Sequence, residues 1–335
     1  MSIFDDRVVG GRGSVRGDGV MGPPPFDGPD FVDTVIYARS SYDEIVRLDD
    51  AGQEIWKVSA PHGTGPYSPD AVAIHPEQGA VTVDGASPFG EDAFVHRISL
   101  GGEILWSSPL PLNDGRYIAV DKDGNAIVYN SDANLYKYDA GGSLLWSWTD
   151  GGSNPFGVSV DADGAIYAAD NDGIRKISSK GDQKWFVSED STIGRLFGGT
   201  RVSDGVVYSS NDATLVYFDT SNGDEIGSVA LSADIDAFDV ANGHIFVATS
   251  GLYYQKLDIS TWDVVWEIDL DIGSKFSRDI AVDPDGQVYS CTSFSSHRVQ
   301  KISSDGRLMW SISDDSVVRS VAAHPGRYGA FPDHW

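Results

Sequence analysis

The sequence is poor in several residue types, and each shortage excludes something. It has one cysteine, Cys291, so there is no internal disulfide framework and no cysteine-based zinc cluster. No apolar run approaches the roughly 18 to 20 residues of a membrane-spanning helix, so no membrane insertion is expected. The N-terminus, MSIFDDRVVGGRGSVRGDG, lacks the apolar core of a secretory signal, which predicts a chain that stays in the cytoplasm. Basic residues are few: 24 Lys+Arg stand against 50 Asp+Glu, a formal net charge of -26. That excess repels phosphates and argues against nucleic acid as a partner. Among the acids, glutamate is the scarce one, with 8 Glu to 42 Asp. A Lys-poor, Asp-rich surface stays hydrated where salt screens charge within about 3 Å at 1 M, which points to a halophilic source. The alternative is an Asp-rich all-β protein from an ordinary cell, because part of the Asp excess sits in turns.

Recognisable catalytic patterns are also missing. There is no GxSxG elbow, and none of the seven histidines stands in HExxH spacing. The run GGRGSVRGDG lacks the Lys-Ser/Thr of a phosphate loop. Cys291 lies in the strand-like QVYSCT and reads as a buried thiol.

What the chain has is a repeat. Six segments end in a turn and an apolar strand carrying tryptophan, at Trp56, Trp106, Trp146, Trp185, Trp266 and Trp310. A seventh, DTSNGDEIGSV at 219–229, fits the frame without tryptophan. Successive tryptophan steps are 50, 40, 39, 81 and 44, and a period near 40 to 50 is that of a four-stranded propeller blade. Each repeat splits into four short alternating runs. DKDG (121–124), DADG (161–164) and DPDG (283–286) recur at one place as tight Asp-Gly turns. Ion binding by these turns is the second reading, although none forms a full calcium loop. The last first-type strand, SVAAHPG at 320–326, lies at the C-terminus, and the first repeat, from TVIYARSS, lacks its own. The expected fold is therefore all-β: a seven-bladed propeller of four-stranded blades over 31–335, closed by the C-terminal strand.

The repeat, of the form xYxLDxxGxxxW, resembles the PQQ-like and NHL-like β-propeller families. The resemblance covers nearly the whole chain after residue 31 and implies the fold. In the quinone-dependent propeller dehydrogenases it also implies adjacent cysteines, a secretion signal and usually eight blades. This sequence departs from all three, so no cofactor is expected.

Equivalent strand starts read GRYIAV, SRDIAV and VRSVAA, which puts Arg116, Arg278 and Arg319 at one position; Asp70, Phe156 and Asp236 occupy it elsewhere. If these strands line the axis, their charges gather at one channel mouth. They either pair to satisfy the ring or bind an anion or a partner peptide, because Arg forks match carboxylates and phosphates. Longer loops carry Tyr67, Phe89, Phe197, Phe294 and His297, either as an interface or as packing under the loops.

Residues 1–30 are too rich in Gly and Pro to form a blade and read as an extended arm, with Ile3, Phe4, Val8, Val9 and Phe26 as apolar anchors. An arm, a disc and no catalytic set suggest a non-enzymatic structural protein of a large assembly. Its partners would be other subunits, gripped through the arm, and a host surface ligand met through the loop face. The expectation is a head or tail decoration of a halophile-infecting virus, located in the virion and assembled in the cytoplasm. The alternatives are a cytoplasmic ligand-binding or sensor propeller and, further off, a propeller enzyme.

Overall fold

The computed structural model describes residues 34–39, 44–59, 71–75, 77, 79–84, 93–111, 114–149, 152, 154–188, 199–250, 253–270, 276–293, 297–314 and 317–324. The chain divides into two units, Met1–Phe31 and Val32–Trp335. Asp70, the arm anchors Ile3, Phe4, Val8, Val9 and Phe26, and the loop aromatics Tyr67, Phe89, Phe197 and Phe294 lie outside the described residues.

The second unit is a β-propeller of four-stranded antiparallel blades. Blade one holds β1 (Thr34–Arg39), β2 (Glu44–Leu48) and β3 (Glu54–Ser59). Blade two holds β4 (Ala71–His75), β5 (Gly79–Val83), β6 (Phe94–Ile98) and β7 (Ile104–Pro109). Next come β8 (Gly115–Val120), β9 (Ala126–Asn130), β10 (Leu135–Tyr138) and β11 (Leu144–Trp148), then β12 (Gly157–Val160), β13 (Ile166–Asp170), β14 (Gly173–Ile177) and β15 (Gln183–Ser188). They are followed by β16 (Thr200–Ser203), β17 (Val206–Asn211), β18 (Thr214–Asp219) and β19 (Glu225–Ala230), and by β20 (Ile235–Ala241), β21 (His244–Thr249), β22 (Tyr253–Asp258) and β23 (Val264–Asp269). The last sheet is β24 (Phe276–Val282), β25 (Val288–Ser293), β26 (His297–Ile302) and β27 (Leu308–Asp314), after which β28 (Val318–His324) returns to blade one. The described strands thus fall into seven four-stranded sheets, one of them in the order β28-β1-β2-β3. β28 pairs antiparallel with β1, Thr34 opposite His324 and Tyr37 opposite Val321, so the C-terminal strand completes the first blade.

The inner strands follow one another as β4, β8, β12, β16, β20, β24, β28 and back to β4. Apolar clusters fill the spaces between neighbouring blades. One joins Val81 and Val95 to Val128 and Tyr136, and another joins Tyr289 and Val299 to Val46 and Val321 across the closing blade. Second strands are sandwiched on both faces, which is why β5, β9 and β13 are buried at every residue.

The turns follow from their aspartates. Asp121 Oδ1 accepts the N–H groups of Asp123 (3.0 Å) and Asn125 (2.9 Å), and Asp161 and Asp283 repeat the pattern. These carboxylates are turned onto their own backbone, as Asx turns require.

Tryptophan fastens blade to blade. Each indole N–H reaches a carbonyl in the turn of the following blade: Trp56 to Leu100 (2.9 Å), Trp106 to Ala140 (2.8 Å), Trp146 to Ser179 (3.1 Å), Trp185 to Thr220 (3.0 Å), Trp266 to Ser304 (3.0 Å) and Trp310 to Asp50 (2.8 Å). A glycine of that turn lies flat on the indole; a Cβ on Gly306 would stand 2.9 Å from the Trp266 ring. The blade without tryptophan reverses the arrangement. Gly227 occupies the tryptophan position, and the glycine position of the next turn holds Trp262, at φ 62°. Trp262 stacks back on Tyr217, with centroids 5.1 Å apart. The large and small partners have exchanged sides of the joint.

Candidate functional site: the axial channel

The inner strands enclose a cavity of about 340 Å³ along the axis. Arg116, Arg278 and Arg319 begin β8, β24 and β28, and all three line this cavity with Phe156 and Asp236. These residues, which sequence equivalence placed at one level, line one cavity from the first part of their inner strands. Arg116 and Arg278 are exposed, while Arg319 and Asp236 are half-buried.

Arg116 is held by Asp114, Nη2 to Oδ2 2.9 Å, and Asp114 is itself buried. Asp114 sits at φ 125°, a conformation that strains any residue with a Cβ. The next residue, Gly115, presses so closely on blade two that a Cβ there would stand 2.0 Å from Val83 Cγ2.

Deeper in the channel lies a set that the sequence reading missed. Arg201 on β16 donates from Nε to Asp239 Oδ1 on β20 (3.0 Å), and its Nη2 lies 3.7 Å from Asp279 Oδ1 on β24. One guanidinium therefore spans three inner strands. Each aspartate also reaches the strand beyond its own: Asp239 Oδ2 accepts Val282 N–H (2.8 Å), and Asp279 Oδ2 accepts Ser320 Oγ–H (2.7 Å) and Val321 N–H (3.1 Å). Asp236 accepts Ser277 N–H at 3.1 Å. These bonds tie neighbouring inner strands that share no backbone ladder. Burial pushes the Asp236 carboxyl up to about 6, with Asp234 adding to the shift and Ser277 N–H opposing it. Burial also raises Asp279, against the pull of Arg201.

One arrangement outside the channel has the outline of a catalytic relay. His96 Nδ1 lies 2.8 Å from Ser107 Oγ, and its Nε2 lies 3.1 Å from Asp84 Oδ2. The same three positions two blades on hold Asp170, Arg175 and Phe186, by the pairings Ala168–Arg175 and Arg175–Phe186 against Thr82–His96 and His96–Ser107. There Arg175 is fully buried, bonded to Asp170 at 2.8 Å and packed between Trp148 and Phe186. An arginine cannot serve as a base, and Arg175 ties β14 to the end of β13 through Asp170. Cys291 is buried and its thiol is pushed well up by burial. His297 opens β26 and is half-buried. Among the described residues no group of three His, Cys, Asp or Glu is placed to hold a metal ion.

Fold and channel define a β-propeller with a charged axial mouth and polar ties between its inner strands. More specifically, the chain belongs to the PQQ-like β-propeller repeat family: the family model described as outer membrane protein assembly factor BamB matches residues 91–196 and 162–324. No curated protein matches the chain. Among solved structures it is similar to a protein of unknown function from Bacteroides caccae, with 15% identity, a TM-score of 0.53, and coverage of 88% of this chain and 99% of that one. At that identity the likeness concerns the fold alone.

Proposed function

We propose that the chain is a non-enzymatic interaction propeller that works as one component of a larger assembly. The observation that carries this reading is a broken belt of apolar side chains around the rim. Ile55, Leu105, Leu145, Ile226, Val265 and Met309 each precede the tryptophan position of an outer strand and are 49–58% exposed. β15 alone has a charge there, Lys184. Outer strands have unpaired edges, and native proteins manage such edges by covering or charging them. Repeated exposed apolar groups on a chain of net charge -26 fit a surface that meets other protein subunits. The family model's description, an assembly factor, agrees with that use.

In the fullest form of the proposal the assembly is the virion of a halophile-infecting virus. The propeller decorates its head or tail, residues 1–30 grip a neighbouring subunit, and the loop face meets a host surface ligand. The acidic composition and the arm's Ile3, Phe4, Val8, Val9 and Phe26 support this form. The second reading, a ligand-binding propeller, is favoured by the grouped arginines of the channel mouth.

The test is sedimentation of native extracts at the salt of the source. Full-length chain should travel in a large complex. A chain lacking residues 1–30, and a separate Leu105→Glu/Leu145→Glu/Met309→Glu chain, should fold yet travel alone. A full-length chain that sediments as a free monomer would overturn the proposal.

A further inference from the structure

We propose that the channel mouth binds a small anion bearing carboxylate or phosphate groups, held by Arg116, Arg278 and Arg319 with Phe156 beside it. This does not rest on the assembly reading. Three guanidiniums, each near the start of its inner strand, line one cavity in a chain with twice as many acids as bases. Arginine presents a planar fork of donors suited to carboxylate and phosphate oxygens, and it keeps its charge at every working pH.

The backbone around Arg116 is strained in its favour. Asp114 is buried at φ 125°, Gly115 leaves no room for a side chain against Val83, and the next residue, Arg116, lines the cavity. Strain of this kind gathers at ligand clamps.

Arg201 offsets part of the charge of the deeper acids. Asp239 and Asp279 are turned onto the N–H groups of Val282 and Val321 and onto Arg201. Asp236, which shares the mouth with Asp114, accepts Ser277 N–H. Phe156, across the ring from the arginines of β24 and β28, adds an apolar side, and the cavity is at the small end of ligand-sized pockets.

The experiment is calorimetric titration of the full-length chain with sodium malonate and, separately, with inorganic phosphate at constant ionic strength. Melting curves in the same anions and in matched sodium chloride run alongside. At least one anion should bind saturably at one site and raise the melting temperature beyond the chloride control. Arg116→Gln and Arg278→Gln should each weaken that binding about tenfold or more. Malonate alone binding identifies a carboxylate ligand, phosphate alone a phosphorylated one, and both a site that reads the charge. Arg116 is exposed, so its variant keeps the test valid if Arg278→Gln melts early. No saturable binding of either anion, or binding unchanged in both variants, overturns the proposal.

Discussion

Replacing Gly306 with alanine should damage one joint between blades, and Gly243 provides a matched control. Both residues are left-handed, at φ +83° and +71°. Alanine in that conformation costs about 1 to 2 kcal/mol wherever it occurs. At Gly243 nothing lies within 4 Å of the added Cβ, so the backbone cost should be the whole effect. At Gly306 the Cβ would stand 2.9 Å from Cδ2 and Cγ of Trp266. Ordinary contact needs about half an ångström more, so the indole must withdraw. Withdrawal stretches the 3.0 Å bond from its N–H to Ser304, a bond worth about 0.5 to 1.5 kcal/mol. It also opens a gap that forfeits part of the dispersion contact. Gly306→Ala should therefore destabilise by about 1 to 2 kcal/mol more than Gly243→Ala. Urea unfolding followed by tryptophan fluorescence measures both, and repeating the pair in a Trp266→Ala background removes the ring with its N–H. Equal destabilisation by the two glycine variants, or an excess that survives in that background, would refute the joint.

Three further outcomes are expected. Trp262→Gly relieves a left-handed tryptophan, yet it should destabilise by about 1 kcal/mol because the stack on Tyr217 is lost; the triple variant Tyr217→Lys/Gly227→Trp/Trp262→Gly should recover most of that loss in urea unfolding. Asp236 has its carboxyl raised to about 6, so between about pH 4 and 6 the folded state keeps a proton that the unfolded state has released. Its contribution to stability is present at pH 4 and lost by pH 7, so Asp236→Asn should gain melting temperature over wild type at pH 7 and hold no such advantage at pH 4; a difference that does not change with pH would count against it. With a net charge of -26, the melting temperature should rise between about 0.1 and 1 M salt as self-repulsion is screened, and a flat curve would remove the support for a halophilic source.

The blade was legible because its determinants are local. Asp-Gly turns, alternation and the tryptophan period each need only a few neighbouring residues. The return of β28 to blade one followed from a first repeat that lacks a strand and a last one that has a strand to spare. Arg116, Arg278, Arg319 and Asp236 were legible as a group because three strand starts share one spelling. Arg201 was not. Its hairpin pairs Val202 with Val207, five apart, where β8 and β9 pair Val120 with Ala126, six apart, and this shorter turn hides its register. Asp239 and Asp279 appeared as ordinary strand polar residues because their partners lie on other blades. The missing tryptophan at Gly227 was visible, but its compensation was not, since Trp262 sits in a turn slot that glycine fills elsewhere.

The pairing of β28 with β1 has a mechanical consequence. Thr34 lies opposite His324, so the polypeptide enters and leaves the ring at the same end of one two-strand ladder. Tension applied between those two points loads the hydrogen bonds one after another, as in opening a zipper, rather than all together in shear. Every other sheet of the ring is one continuous stretch of chain, and a pull on the ends reaches it only after the first ladder has parted. Under load the disc should open at this blade first and uncoil outward from it, at low force, with the remaining joints failing in sequence.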